Sequence, residues 1–153
     1  MDLILWRHAE AEEAGNGESD LERALASRGE RQAKRMAEWL NRRLTHSTRI
    51  LVSPALRCQQ TAKALGRKGR TMASIGPGAS VEDVLAAAGW PKASTPVLII
   101  GHQPTLGLVA STLLTGNAQP WTVKKAAVWW LRHRPHVDDG EVVLQAVQSA
   151  DCL

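Results

Sequence analysis

Three short segments of the chain carry residues that could do chemistry. Arg7-His8 follows one apolar run, Ser53 with Arg57 follows a second, and Gly101-His102 follows a third. Two histidines and two arginines brought together would make a poor proton-abstraction site and a good anion site. Arginine presents a planar fork that grips phosphate oxygens in pairs. A neutral imidazole is a competent nucleophile toward phosphorus, and nearby arginine charge disfavours the imidazolium, which keeps a nitrogen lone pair free near neutral pH. No carboxylate cluster or Cys/His cluster accompanies these residues, so no metal site is expected.

The elements that must position them follow from the pattern. Leu3–Trp6, Arg49–Ser53 and Val97–Ile100 read as short buried strands. Ser27-Arg-Gly-Glu30 has the form of a capping box and opens a helix through Leu44, with Ala33, Met36, Ala37, Leu40 and Leu44 on one face. Ser53-Pro54 predicts a second helix, with Ser as N-cap and Pro at the first helical position, ending near Leu65 and Gly66. Thr71–Ile75 reads as an edge strand. Ser80-Val-Glu-Asp83 is another capping box, leading a helix that ends near Gly89. After a turn at Gly101–Pro104, a further helix runs through Leu114 and stops at Gly116. Strands near Ala126–Arg132 and Glu141–Val147 close the chain, joined by a turn at Asp138-Asp139-Gly140. Ala9–Ala26 shows no clean period and reads as a loop. The alternation predicts an α/β fold: a three-layer sandwich with a mostly parallel central sheet and helices on both faces. Ligands of such sheets bind beyond the carboxyl ends of the strands, where Arg7, His8, Ser53, Arg57 and His102 all fall. The helix N-termini at Pro54 and Pro104 add free N–H groups for an anion.

Composition narrows the function classes. A chain of 153 residues is expected to form a single domain over 1–153. Six Trp with no Tyr and no Phe exclude a tyrosine acid, nucleophile or base-stacking platform. The net charge of +4 favours anionic ligands. Without a helix-turn-helix, a zinc finger or an aromatic platform it predicts no nucleic-acid partner. Cys58 and Cys152 lie far apart with no CxxC, which argues against a disulfide framework or a zinc cluster and for a reducing compartment. The opening apolar run is too short for a signal peptide, and no window approaches the roughly 20 apolar residues of a membrane span. A soluble, cytoplasmic protein without a membrane partner is expected. The run Arg28, Arg31, Lys34, Arg35, Arg42 and Arg43 reads as a solvated helix face, with docking of an acidic partner as the sharper alternative.

Together, LWRHAEAE, LVSPALRCQQTA and LIIGHQPTL resemble the histidine phosphatase superfamily, with its phosphoglycerate-mutase-like fold. Within it they resemble the SixA-type phosphohistidine phosphatases. The resemblance implies that His8 is the nucleophile that becomes phosphorylated, that Arg7 and Arg57 clamp the phosphate oxygens, and that His102 donates a hydrogen bond to the phosphoryl group. Arg23, in SDLERALASRG, stands where such chains carry a further phosphate-binding arginine. No cofactor or metal is implied, and no sizeable cap insertion. Ala9 replaces the usual Gly of the Arg-His-Gly motif. Mutase-type members carry a Glu in the region corresponding to 73–80, where this chain has no carboxylate; Glu10 and Glu82 are the available substitutes. That absence has a chemical reading: an alkoxide needs a proton donor to leave, whereas an imidazole of pKa ~6.5 leaves readily once its other nitrogen is protonated. The implied activity is a phosphatase working through a phosphohistidine intermediate. Its implied substrate is phosphohistidine on a protein, such as a histidine-containing phosphotransfer domain in signal transduction. The alternatives are a phosphomonoesterase acting on a small phosphate ester, and a non-catalytic phosphoryl-binding or carrier module.

Overall fold

The computed structural model describes residues 1–136 and 140–153. Its strands alternate in the direction their side chains take, and this alternation builds two cores at once. Ile4, Trp6, Ile50, Val52, Leu98, Ile100, Val128 and Trp130 face one side of the sheet. Leu3, Leu5, Leu51, Val97, Ile99 and Leu131 face the other. The strands are β1 (Asp2–Arg7), β2 (Arg49–Val52), β3 (Arg70–Thr71), β4 (Val97–Gly101), β5 (Val128–Arg134) and β6 (Glu141–Gln148). They lie in the order β3-β2-β4-β1-β5-β6. β1 and β2 each pair in parallel with β4, and β3 in parallel with β2. β5 and β6 add an antiparallel hairpin beside β1. Strands buried on both faces read as continuous apolar runs, which is why DLILWR and VLIIG were recognisable as such.

Helices α1 (Ser27–Asn41) and α2 (Leu56–Lys63) cover the first face, and α3 (Val81–Ala88) and α4 (Thr105–Thr115) the second. This is the three-layer α/β sandwich expected from the sequence. The adjacent tryptophans of β5 divide between the faces: Trp130 meets Trp39 of α1 edge-on at 6.5 Å between ring centroids, and Trp129 meets Trp121 at 6.0 Å.

Several local expectations are corrected. The capping box at Ser80 and Asp83 forms in full, whereas the one at Ser27 and Glu30 does not. Ala26 takes the N-cap position of α1, and its carbonyl accepts from the Glu30 N–H. Ser53 is not the N-cap of α2 and Pro54 is not its first residue; Ala55 holds the N-cap, and the Ser53 hydroxyl is used elsewhere. α1 ends at Asn41, and just beyond it the Arg43 and Leu44 N–H groups both donate to the Leu40 carbonyl, at 2.9 and 2.8 Å. The edge strand is shorter than expected, Arg70–Thr71, and Ala73–Ile75 forms a 3-10 turn instead. Asp138 and Asp139 of the expected hairpin turn lie outside the described residues.

Gly29 explains the odd composition of the first turn of α1. A Cβ there would overlap the Glu10 carbonyl, so the missing side chain lets α1 rest directly on the segment that follows His8. Overpacking of this kind costs about 1–3 kcal/mol. Gly29→Ala is therefore expected to lower stability by about that amount in urea unfolding, and to weaken any ligand bound beside His8. A variant as stable as the parent would contradict this close approach.

Candidate active site

Three neighbouring strands, β2, β4 and β1, end side by side. The register places Arg7 opposite Gly101, and the His8 N–H then donates to the Gly101 carbonyl at 3.1 Å. His8 and His102 leave adjacent strand ends with ring centroids 5.4 Å apart. Ser53, one residue past β2, is anchored by its N–H to the Ile100 carbonyl at 3.1 Å. Arg57 enters from the first turn of α2 and lies between the two rings. Four of the expected residues, Arg7, His8, Arg57 and His102, are thus brought together with Arg23 at their edge.

The hydrogen bonds fix the protonation of both rings. His8 Nδ1 lies 2.7 Å from the Ala9 carbonyl, which can only accept, so Nδ1 carries the hydrogen. Nε2 therefore holds the lone pair, and Arg57 Nε donates to it at 3.3 Å. For His102, Nδ1 faces Arg57 Nη2 at 3.3 Å. A guanidinium has no acceptor, so the hydrogen sits on Nε2, which donates to Ser53 Oγ at 2.6 Å. Ser53 Oγ also accepts from the Ala55 N–H at 3.2 Å. One donor-only side chain thus turns the lone pairs of both histidines inward.

Burial reinforces this. His8 and His102 are 8% and 4% exposed. Desolvation, more than the neighbouring arginines, pulls the His8 imidazole down to about 4 and the His102 imidazole down to about 3. Arginine charge, expected from the sequence to keep the imidazole neutral, is the lesser cause, and at His102 it also ranks behind the charge of His8. Arg7 is likewise lowered by burial and by repulsion from Arg57. Its Nη1 donates to the Val123 carbonyl at 2.9 Å, while its buried Nε has no hydrogen-bond partner among the described residues. The Arg7 charge acts on both imidazoles, and an orphaned guanidinium N–H is what an anion would complete. Cys58 packs with its sulfur 3.5 Å from His102 Nε2, and burial pushes its thiol up to about 12, so it is an inert packing group.

Two residues of the site, Thr61 and Asp20, leave no signal in the sequence, and a third has a different role. Ser53 falls at its strand end as expected, but as the acceptor for His102 rather than as the N-cap of α2. Thr61, fully buried, accepts from the Ala9 N–H at 3.0 Å and donates to the Arg57 carbonyl at 2.7 Å, tying the His8 loop to α2. Asp20 holds Arg57 through its carboxylate at 3.1 Å and its main-chain oxygen at 2.9 Å, and holds Arg23 at 3.1 Å. The Asp20–Arg57 contact spans 37 residues of chain, so no spacing rule along α2 reveals it. Ala9 adopts no left-handed φ, so the alanine in place of glycine is not strained; the positive φ of a non-glycine residue falls at Ala126, whose N–H donates to the His8 carbonyl. Among the described residues, neither Glu10 nor Glu82 has a hydrogen bond or ion pair with Arg7, His8, Arg57 or His102; Glu10 faces Lys125 at 4.0 Å. No group of three or more potential metal-ligating side chains occurs among the described residues.

Two outcomes follow from the protonation pattern. An unfolded histidine protonates near pH 6.5, whereas these two stay neutral in the fold until about pH 4 and 3. The unfolded chain then binds more protons, so stability falls as pH drops through this window, and His8 alone contributes up to about 3 kcal/mol of that loss. Denaturation midpoints between pH 7 and 4.5 should fall steeply, and His8→Asn should remove about 1.4 kcal/mol per pH unit from the slope; an unchanged slope would show that His8 protonates freely. Ser53→Ala leaves the His102 Nε2–H without this acceptor and should cost about 1–3 kcal/mol in urea unfolding, while Arg57 keeps the hydrogen on Nε2 in nitrogen NMR shifts; a variant as stable as the parent would contradict the Ser53 bond.

The sequence match known as the histidine phosphatase superfamily (branch 1) covers residues 3–78, which include the Arg7-His8 and Ser53–Arg57 segments. An uncharacterised protein of Picosynechococcus is 32% identical over 145 residues, spanning 86% of this chain and 85% of its own. Phosphohistidine phosphatase SixA of Escherichia coli is 30% identical over 131 residues, 78% of each chain. The solved structure of protein histidine phosphatase SixA with tungstate superposes with a TM-score of 0.78 at 25% identity, covering 99% of both chains. With this kinship spread along most of its length, and with its paired histidines and arginines gathered at one sheet edge, the chain belongs to the histidine phosphatase superfamily.

Proposed function

We propose that this protein is a phosphohistidine phosphatase in which His8 is the nucleophile. The observation that carries the reading is the lone pair of a buried, neutral His8, which accepts from Arg57 and lies in the field of Arg7, Arg57 and Arg23. The 30% identity with the phosphohistidine phosphatase of Escherichia coli supports the same substrate class.

The chemistry balances without a cofactor. His8 Nε2 attacks phosphorus, and the bond from phosphorus to the substrate imidazole breaks. That imidazole leaves neutral when its other nitrogen is already protonated. Water then attacks the phosphorus on His8, releasing inorganic phosphate and restoring the imidazole. Arg7, Arg57 and Arg23 offset charge on the equatorial oxygens. His102 has no hydrogen to offer on its inward nitrogen while neutral. An arriving phosphoryl anion raises its proton affinity, and the proton it then takes at Nδ1 makes it a donor to that anion. Ser53 acts as a positioning residue by holding Nε2–H.

The substrate preference rests on the missing acid. The carboxylate that touches the site, Asp20, is held ionised by its hydrogen bond to Arg23 and then by Arg57, so it is not a ready proton donor for an alkoxide. A leaving imidazole needs none. The loop between β1 and α1 carries only the short 3-10 turn Asp20–Glu22 and one isolated bridge, Ala11 to Leu25. A single domain of this kind, without a cap, leaves room for a phosphorylated side chain still attached to a protein, such as a phosphotransfer domain in signalling. The two free cysteines fit a reducing, cytoplasmic setting, and no described helix is long and apolar enough to cross a membrane.

The test is a substrate panel of phosphohistidine protein, aryl phosphate and sugar phosphates, run with the parent and His8→Ala. Phosphohistidine should be hydrolysed fastest, and His8→Ala should lose at least about 10³-fold in rate, as expected for removal of a covalent nucleophile. Faster turnover of sugar phosphates would replace the substrate assignment, and residual activity in His8→Ala would remove the mechanism.

A further inference from the structure

The carboxylate of Asp20 lies where a phosphate is expected. Its Oδ2 accepts from Arg57 Nη2 at 3.1 Å and its Oδ1 from Arg23 Nη1 at 3.1 Å. One planar anion therefore spans two of the three arginines that the proposed function assigns to phosphate. The two sides of this contact are unequal. The Arg57 side chain is 6% exposed and tied to both histidines, whereas that of Asp20 is 56% exposed. The cation is fixed and the anion reaches in from solvent. Asp20 opens a 3-10 turn whose flanking Ser19 makes no side-chain cap bond, so its carboxylate can rotate outward without breaking a helix. Nor can the contact be shared, because the same Arg57 Nη2 serves the Asp20 carboxylate and His102 Nδ1.

We infer that Asp20 is a resident competitor for the phosphoryl group: its carboxylate fills the Arg57–Arg23 clamp when the site is empty and must swing out when phosphate enters. This rests on the proposed phosphatase reading and adds a specificity device to it. Free inorganic phosphate has only the clamp to bind and must displace the carboxylate unaided. A phosphoryl group presented on a docked protein draws on contacts outside the clamp to do so. After hydrolysis the returning carboxylate helps expel the product. The carboxylate side of the pair is exposed and can return to water, and an entering phosphate replaces it at the buried guanidinium, which suits a gate better than a structural tie.

The experiment compares inorganic phosphate as a product inhibitor of aryl phosphate hydrolysis, and as a calorimetric ligand, in the parent, Asp20→Asn and Asp20→Glu. Asp20→Asn keeps the shape and removes the charge, so phosphate should bind about five- to tenfold more tightly, while Asp20→Glu should stay near the parent. If Asp20 merely braced Arg57, Asp20→Asn would bind phosphate more weakly, the opposite sign. Equal or weaker binding in Asp20→Asn, or equally tightened binding in Asp20→Glu, overturns the competitor role and leaves the phosphatase reading standing. Absence of phosphate binding in all three proteins removes the phosphate site itself, and the competitor role with it.

Discussion

The site depends on one buried guanidinium. Arg57 is almost sealed from water yet touches two imidazoles and one carboxylate. A guanidinium is always charged and only donates, so whatever faces it must present lone pairs. That single constraint orients His8 and His102, sets their tautomers, and demands an anion. A buried charge without such partners would cost several kcal/mol. The scaffold supplies them from three elements around α2: the end of β1 for His8, the end of β4 for His102, and the 3-10 turn for Asp20. Removing one partner leaves the others with unmet hydrogen-bonding groups, so the cluster acts as a unit.

The fold can be read as the means of holding that unit. Central strands with both faces buried end at a common edge, and their register aligns the residue just beyond each strand. Thr61 and Ser53 then convert position into orientation, one joining the His8 loop to α2 and the other fixing His102. Gly29 brings α1 against the same loop from outside. Desolvation from these contacts, rather than the arginines' charge alone, keeps both rings neutral. The same burial that stabilises the core therefore prepares the proposed nucleophile.

Much of this was legible in the chain and some was not, for identifiable reasons. The strands of the double-faced sheet announce themselves as apolar runs, and the residues after them are chemically unusual enough to mark the site. Helix starts were read less well. Ser27 and Ser53 both look like caps, because short-range rules score a serine by its neighbours in sequence. The Ser53 hydroxyl instead accepts from the buried Nε2–H of His102, 49 residues away in the chain. Asp20 was invisible as a partner of Arg57 for the same reason: their contact spans a loop without periodicity. Long-range polar pairs leave no local trace, whereas apolar alternation does.

The Ala9 carbonyl and Arg57 together hold the lone pair of His8 on Nε2, the atom proposed as the nucleophile. The measurement that reaches it is the site of phosphorylation in the trapped enzyme, read by nitrogen–phosphorus coupling in imidazole-labelled protein. A phosphoryl group is expected on Nε2 of His8, with Nδ1 still protonated against the Ala9 carbonyl. A phosphoryl group on Nδ1, or on another residue, would contradict it.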